Sequence, residues 1–243
     1  MKIIDKNLNN IKSNKELYSK FISAQNNNLG FDCNILNTNF YLDTHNYFPL
    51  TFEYFTFFEL FSWGEKSKYN IFFSDDFIEN FKNNSEKFDS IDNVQILGSS
   101  SNDNYYRNII TFLPRLFFFQ NKELKLAIHR KNSNKFRNFI KDICQKMNIK
   151  IQFVFLDDNF YKFSNSQLPQ FLNLHDSVKI LNHLKIKNEN PQDKIFVTRQ
   201  NASYRNLVNE SDLIQQLKPL GFRVVDLNNF DIFEQIDIFS NSK

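Results

Sequence analysis

The sequence predicts an α/β protein whose parallel sheet carries helices on both faces. Two observations lead there. Apolar runs of strand length alternate with segments of helical spacing through the middle of the chain, and a complete strand–loop–helix–strand unit occupies residues 194–226.

Residues 69–74 read as a strand, 75–81 as a helix and 94–97 as a second strand. From 105 to 119 the spacing of Ile109, Ile110, Leu113 and Leu116 is helical, with a bend expected near Pro114. Residues 124–129 form a strand. Phe136, Phe139, Ile140, Ile143 and Met147 then mark one apolar helix stripe, and 149–156 return as a strand. The Phe-rich segment 52–63 is the longest apolar stretch, but it is short and contains Glu53 and Glu59. It is expected to be a buried core helix, a membrane-surface helix being the other reading.

The unit at 194–226 follows from its own residues. Ile195, Phe196 and Val197 are a short apolar run suited to a buried parallel strand. Asn209 can cap the next helix, with Glu210 and Asp212 in its first turn where the helix dipole favours negative charge. Leu213, Ile214, Leu217 and Leu220 give that helix an apolar face, and Pro219 with Gly221 ends it. Residues 222–226 are the second strand. Ligands of parallel sheets sit beyond the carboxyl ends of the strands, where Arg199 and Arg205 fall.

A shift to Lys, Asn, Glu and Pro191 across residues 185–194 interrupts the apolar periodicity. The chain is therefore divided into domains at 1–188 and 189–243. Its 243 residues suffice for one large or two modest cores. The 30 phenylalanines and 4 glycines reflect an A+T-rich coding bias rather than an aromatic array. A net charge of +3 argues against a dedicated nucleic-acid binder. Two cysteines, Cys33 and Cys144, make no disulfide framework and suit a reducing, cytoplasmic location. The first residues lack the apolar core of a signal peptide.

Arginine is sparse among many lysines, so two arginines at one strand end draw attention. The guanidinium fork grips phosphate bidentately and stays charged. On the residues alone, Arg199 and Arg205 fit a solvated loop as well as a diphosphate site. Glu210 and Asn209 are also ordinary first-turn and cap residues. Glu234 and Gln235 could meet a ribose or base, or form the polar face of a helix built on Ile232, Phe233, Ile236 and Phe239. His45, His129, His175 and His183 show no zinc spacing, no Asp-x-Asp pair exists, and each glycine stands alone. Asp75-Asp76 and Asp157-Asp158 follow strands and read as solvated turn residues.

Arg199, Arg205, the Asn209-Glu210 pair, Gly221-Phe222 and Phe230 followed by Glu234-Gln235 together resemble the catalytic domain of glycosyltransferase family 61. Asn104-Tyr105-Tyr106 followed by Leu113-Pro114-Arg115-Leu116 resembles the family's N-terminal signature. The resemblance covers roughly residues 101–243. It implies a GT-B-like, Rossmann-like fold and transfer of a sugar from a nucleotide-sugar donor to a glycan or surface polysaccharide acceptor, without a metal or other cofactor. It assigns the donor nucleotide to Arg199, Arg205, Asn209, Glu210, Glu234 and Gln235. Asn104, Tyr105 and Arg107 fall on the acceptor-side cleft.

Two departures follow from the same comparison. The family's Asn-Tyr-Tyr-His-Trp-like run has Arg107 and Asn108 in its last two places, and a guanidinium cannot act as a base near neutral pH. The family's His-Gly-Ala-Gly loop, expected soon after Gln235, does not occur before Lys243. The second domain is therefore expected to be incomplete, with a C-terminally truncated relative as the working picture. That leaves two classes of function: a sugar-transferring enzyme, or a non-catalytic binding module. Expected partners are the nucleotide sugar, the acceptor glycan, the inner face of the membrane by peripheral contact, and a second copy or complementing chain. No nucleic acid is expected.

Overall fold

The computed structural model describes residues 2–4, 21–26, 30–57, 60, 75–98, 104–184, 190–201 and 207–242. The chain separates into two compact units, Met1–Leu181 and Asn182–Lys243. The division falls at the end of the helix Leu174–Asn182, ahead of the boundary read from composition.

Among the described residues, the first unit is built on an eight-stranded sheet. Its strands are β2 (Phe21–Asn26), β3 (Phe31–Asp43), β4 (Phe48–Thr51), β6 (Asp89–Asp92), β7 (Gln95–Ile96), β8 (Glu123–His129), β9 (Lys150–Leu156) and β10 (Phe160–Pro169). A separate parallel pair joins β1 (Lys2–Ile4) to β5 (Phe55–Phe57). The main order is β2-β3-β10-β7-β8-β9, with β4 on β3 and β6 on β10. Strands β10, β7, β8 and β9 are parallel, whereas β3 pairs antiparallel with β10, β2 and β4. The α/β class holds, but the sheet is mixed rather than parallel. The antiparallel half comes from β3 and its hairpin partner β4, joined through a tight turn at residues 44–47 in which Tyr47 has φ 55°.

Parallel strands ordinarily need a crossover of about a dozen residues or more, yet β9 and β10, which have β7 and β8 between them in the sheet, are joined by residues 157–159 alone. Bending of the sheet permits this. Strand β10 carries a bulge between Phe163 and Ser166, with Asn165 at φ 47°, and the chain beside it turns at Asn93, φ 55°. Asparagine tolerates that left-handed backbone better than most residues. The first half of β10 thereby returns toward the carboxyl ends of β8 and β9. Thr44 N–H donates to Asn159 O at 3.0 Å, and Asp157 N–H donates to the Tyr161 hydroxyl at 3.0 Å. One core fills the bend, combining Leu42, Ile96, Ala127, Leu156, Tyr161 and Phe163.

The helices follow their sequence signals closely. Asp75–Asn84 is helical, and Asn134–Lys146 buries Phe136, Phe139, Ile140 and Ile143 behind a cap in which Ser133 Oγ accepts the Phe136 N–H at 3.3 Å. Residues 105–118 change hydrogen-bond pattern twice: one α turn (Tyr105–Arg107), a π stretch (Asn108–Phe112) and a 3-10 segment (Leu113–Phe118). The second switch coincides with Pro114, which has no N–H to continue the ladder. The core helix expected over 52–63 is corrected by β5. Phe55, Thr56 and Phe57 pair with β1, and buried Thr56 donates its hydroxyl to Pro49 O at 2.7 Å. Aromatic and β-branched residues favour that strand. The strand expected at 69–74 lies outside the described residues.

The second unit holds the parallel pair β11 (Lys194–Val197) and β12 (Phe222–Val225), joined through the helix Glu210–Leu217. Gly221 ends the crossover at φ 83°, a backbone that favours glycine. A last helix, Ile232–Ser240, starts from a capping box between Asp231 and Glu234.

Candidate functional site

In the second unit, the carboxyl end of β11 runs into Thr198, Arg199, Gln200 and Asn201, and each is tied down. Glu210, only 3% exposed, accepts the Thr198 hydroxyl and the Arg199 N–H on Oε1, both at 2.7 Å. Its Oε2 is buried with no hydrogen-bond partner. Gln200 Nε2 donates to Ser211 Oγ at 3.2 Å, and Asn201 Nδ2 donates to Asp226 Oδ2 at 3.0 Å. The loop is thereby stitched to the helix start and to the end of β12, with the exposed Arg199 displayed from it. Arg205 lies outside the described residues.

Of the residues read as nucleotide contacts, Glu234 and Gln235 have structural tasks here, as Glu210 does. Asn209 makes no side-chain cap, a correction to its expected role. The anchoring falls to Glu210 one residue later. Glu234 accepts the Asp231 N–H at 2.7 Å within the capping box. Gln235 is buried and donates to Leu227 O at 2.9 Å and Phe230 O at 3.1 Å, fixing the turn before its own helix.

In the first unit, two clusters lie along one edge, the carboxyl ends of β7, β8, β9 and β10. The first contains the residues of the Asn-Tyr-Tyr-Arg run. Asn104 Oδ1 caps the helix by accepting the Arg107 N–H at 2.9 Å, and Tyr105 is exposed beside it. Arg107 is half-buried, 5.8 Å from the Phe112 ring centre, and burial lowers its pKa below the usual arginine value. Beneath it, Arg115 is 0% exposed. Its Nη1 donates to the Tyr47 hydroxyl at 2.6 Å and to Leu97 O at 2.7 Å, while Nη2 donates to Pro169 O at 2.6 Å. The guanidinium also stacks 4.4 Å from the Phe171 ring centre. Arg115 thus clamps the ends of β7 and β10 to the turn bearing Tyr47.

The second cluster was not legible as a site in the sequence. His129 ends β8 and is 3% exposed. Its Nδ1 accepts the Lys131 N–H at 3.1 Å, so the proton resides on Nε2, which donates to Asp158 Oδ1 at 3.0 Å. Lys131 Nζ grips Asp158 Oδ2. On the same carboxylate, His45 Nδ1 lies 3.4 Å from Oδ1, with the His45 side chain 65% exposed. The bond from Lys131 is the main cause holding Asp158 below the usual carboxylate range, and burial keeps His129 below the usual histidine range. An ionised aspartate therefore faces a neutral buried histidine and an open one. Asp43 positions His45, accepting the His45 N–H at 3.0 Å and the Asn46 side-chain amide at 2.7 Å. Asp157 is the more exposed member of the acidic pair and binds Arg130 Nε at 2.8 Å. Both are exposed and follow the strand as the solvated-turn expectation has it, and Asp158 in addition gathers His45, His129 and Lys131. Only the placement of Asp157-Asp158 after a strand signalled this cluster.

Among the described residues, no three His, Cys, Asp or Glu side chains converge in a way that could hold a metal ion, and no helix is long and apolar enough to cross a membrane.

An α/β protein with polar and ionisable groups gathered on the carboxyl edge of its parallel strands is built as an enzyme rather than a structural module. The Glycosyltransferase 61 family model matches residues 105–243, more than half of the chain, and the chain belongs to that family. It is a glycosyltransferase. No curated protein and no solved structure gives a significant match.

Proposed function

We propose that this glycosyltransferase moves a sugar from a nucleotide-diphosphate donor to a hydroxyl of a glycan or surface polysaccharide, with inversion and without a metal, on a GT-B-like fold. The observation that carries the reading is Asp158 holding His45 at the carboxyl edge of the first unit. An aspartate behind one imidazole nitrogen leaves the other free to take a proton, the usual arrangement of an oriented general base. The acceptor hydroxyl gives its proton to His45 Nε2 while its oxygen bonds to the anomeric carbon. The bond from that carbon to the phosphate oxygen breaks, and the diphosphate leaves with the electron pair. His45 thereby takes the role that Arg107 cannot fill.

On the second unit, Arg199, with Arg205 nearby in sequence, suits binding of a nucleotide diphosphate. Glu210 supports that task by fixing the Arg199 backbone. Asn104, Tyr105 and Arg107 form a polar and aromatic surface for the acceptor. The two free, buried cysteines suit a reducing cytoplasm, and action at the inner face of the membrane fits an acceptor destined for the cell surface.

Incubation of the chain with UDP- and GDP-sugars and a hydroxyl acceptor, with products read by NMR, tests the reading. Transfer with inverted anomeric configuration, lost in His45→Ala, is expected. Transfer with retention, or undiminished in that variant, overturns it.

A further inference from the structure

At the opposite, amino-terminal edge of the same sheet lies a groove of about 580 Å³, within the size range of small-molecule sites. The topology creates it. Strand β7 pairs with β8 only at Gln95 and Ile96, opposite Leu126 and Ala127, whereas β8 and β9 extend together back to Glu123 and Lys150. The chain ahead of β7 turns away at Asn93, next to the bulge at Asn165 on β10. A wedge opens between the two walls. A side chain replaces the missing strand neighbour, since buried Gln95 accepts the Lys125 N–H on Oε1 at 3.0 Å.

The lining identifies the ligand class. Asn37, Asn93, Asn121, Gln152, Asn165 and Gln167 all face the groove, and their side-chain amides make no hydrogen bond with the described residues. Each amide offers both a donor and an acceptor. The charged lining residues largely cancel, because Lys150 pairs with Glu123 at 3.2 Å and leaves Lys125 alone. No lining residue is aromatic or arginine, so the groove lacks a stacking surface for a nucleobase and a fork for phosphate. Paired donors and acceptors at low net charge match a polyhydroxylated, uncharged ligand. Two adjacent left-handed asparagines on its wall are the kind of backbone strain that gathers at ligand clamps.

We propose that this groove is a second saccharide site, separate from the transfer edge, that holds a neutral stretch of glycan chain. Its role in anchoring an acceptor rests on the function proposed above, but binding itself does not. The test is saturation-transfer NMR and calorimetry with maltotetraose, cellotetraose and chitotetraose on the wild-type chain, Gln152→Ala/Asn121→Ala, Gln167→Leu and His45→Ala. At least one tetrasaccharide is expected to bind. Its affinity should fall tenfold or more in the groove variants and stay unchanged in His45→Ala, while UDP binding is unaffected throughout. The groove variants should fold as the wild type does, since these amides make no hydrogen bond with the described residues; thermal unfolding checks this, and Gln152→Ala/Asn121→Ala, on exposed positions, serves if Gln167→Leu fails. No binding of any tetrasaccharide, equal binding by the groove variants, or loss only in His45→Ala would each overturn the proposal. Binding without sugar transfer would leave the saccharide site standing and remove only the proposed transfer function.

Discussion

Glu210 Oε1 accepts both the Thr198 hydroxyl and the Arg199 backbone N–H at 2.7 Å, from a side chain almost wholly withdrawn from water. A residue with the position of a nucleotide contact instead builds the loop that presents Arg199. Hydrogen bonds to a charged acceptor are worth about 1.5–3 kcal/mol each. Glu210→Ala removes two of them and should therefore destabilise the second unit by about 3 kcal/mol or more. UDP affinity should fall with it, and Glu210→Gln, which keeps an acceptor, should lose less. Denaturant unfolding and calorimetry read both effects. An unchanged midpoint in Glu210→Ala would show that the loop needs no such anchor.

If His45 removes the acceptor proton, His45→Ala should lower kcat by about 10²–10⁴-fold with little change in KM for either substrate. Asp158→Asn should act in the same direction, because the carboxylate orients the His45 ring. It should also weaken the attachment of His129 and Lys131, which share that carboxylate. A kcat within twofold of wild type in His45→Ala would exclude the imidazole from the chemistry.

The helices Asp75–Asn84, Asn134–Lys146 and Glu210–Leu217 and the strands β7, β8, β9, β11 and β12 were legible because their signals are local, whereas the helix Leu174–Asn182 and the strands β1, β5 and β6 were not read. The stripe from Phe136 to Ile143, the run ending at His129 and the Gly221 terminus are each set by residues a few places apart. Strands β3 and β10 carry no comparable signal. Strand β3 carries Asn34, Asn37 and Asn39, and β10 carries Ser164, Asn165 and Ser166 and ends in Pro169, so composition reads as turn while long-range pairing makes strand. The site divides in the same way. Arg199 and Asn104 stand out by type and position. The Asp158 cluster joins residues from three separated segments, around His45, His129 and Asp158, and no spacing in the sequence announces it.

Acidification should destabilise the first unit in two stages. His129 in the folded state holds its proton less tightly than the usual 6.5, so the unfolded chain gains protons first as pH falls through that value. This contribution is complete above 6.5 and is lost as pH falls toward the lower folded value. Asp158, held below the usual 3.8, contributes above 3.8 and loses its share at lower pH. Tm should therefore fall from pH 7 to pH 5, and His129→Gln should flatten that first slope. An equal slope in the variant would locate the titrating group elsewhere.

Both thiols should be inert in the folded protein. Burial pushes Cys33 and Cys144 up to about 12, and the thiolate is the reactive species. Iodoacetamide at pH 8 should label neither residue until denaturant is added. Peptide mapping of labelled sites is the readout, and prompt modification of Cys144 would mean that the helix Asn134–Lys146 opens readily.

Arg115 should be the most sensitive position on the carboxyl edge. It is fully buried and supplies three hydrogen bonds to Tyr47, Leu97 and Pro169, and its guanidinium stacks on Phe171. Arg115→Met leaves the carbonyls of Leu97 and Pro169 and the Tyr47 hydroxyl without this donor, at about 1–3 kcal/mol for each buried group left unmet. A loss of at least about 3 kcal/mol is expected. Arg115→Lys should recover little, since an ammonium lacks the planar fork that reaches these oxygens and lies against the ring. Gly98→Ala tests the same clamp from its other side. A Cβ at Gly98 would overlap the Tyr47 ring, whose hydroxyl Arg115 holds, so the ring must move, and the backbone there has φ 72°, which strains any residue but glycine. The two substitutions act on one contact, so the double variant should lose clearly less stability than the two single losses added together. Strict additivity in urea unfolding would mean that Arg115 and Tyr47 are not coupled, and the clamp would then have to be assigned to the backbone carbonyls alone.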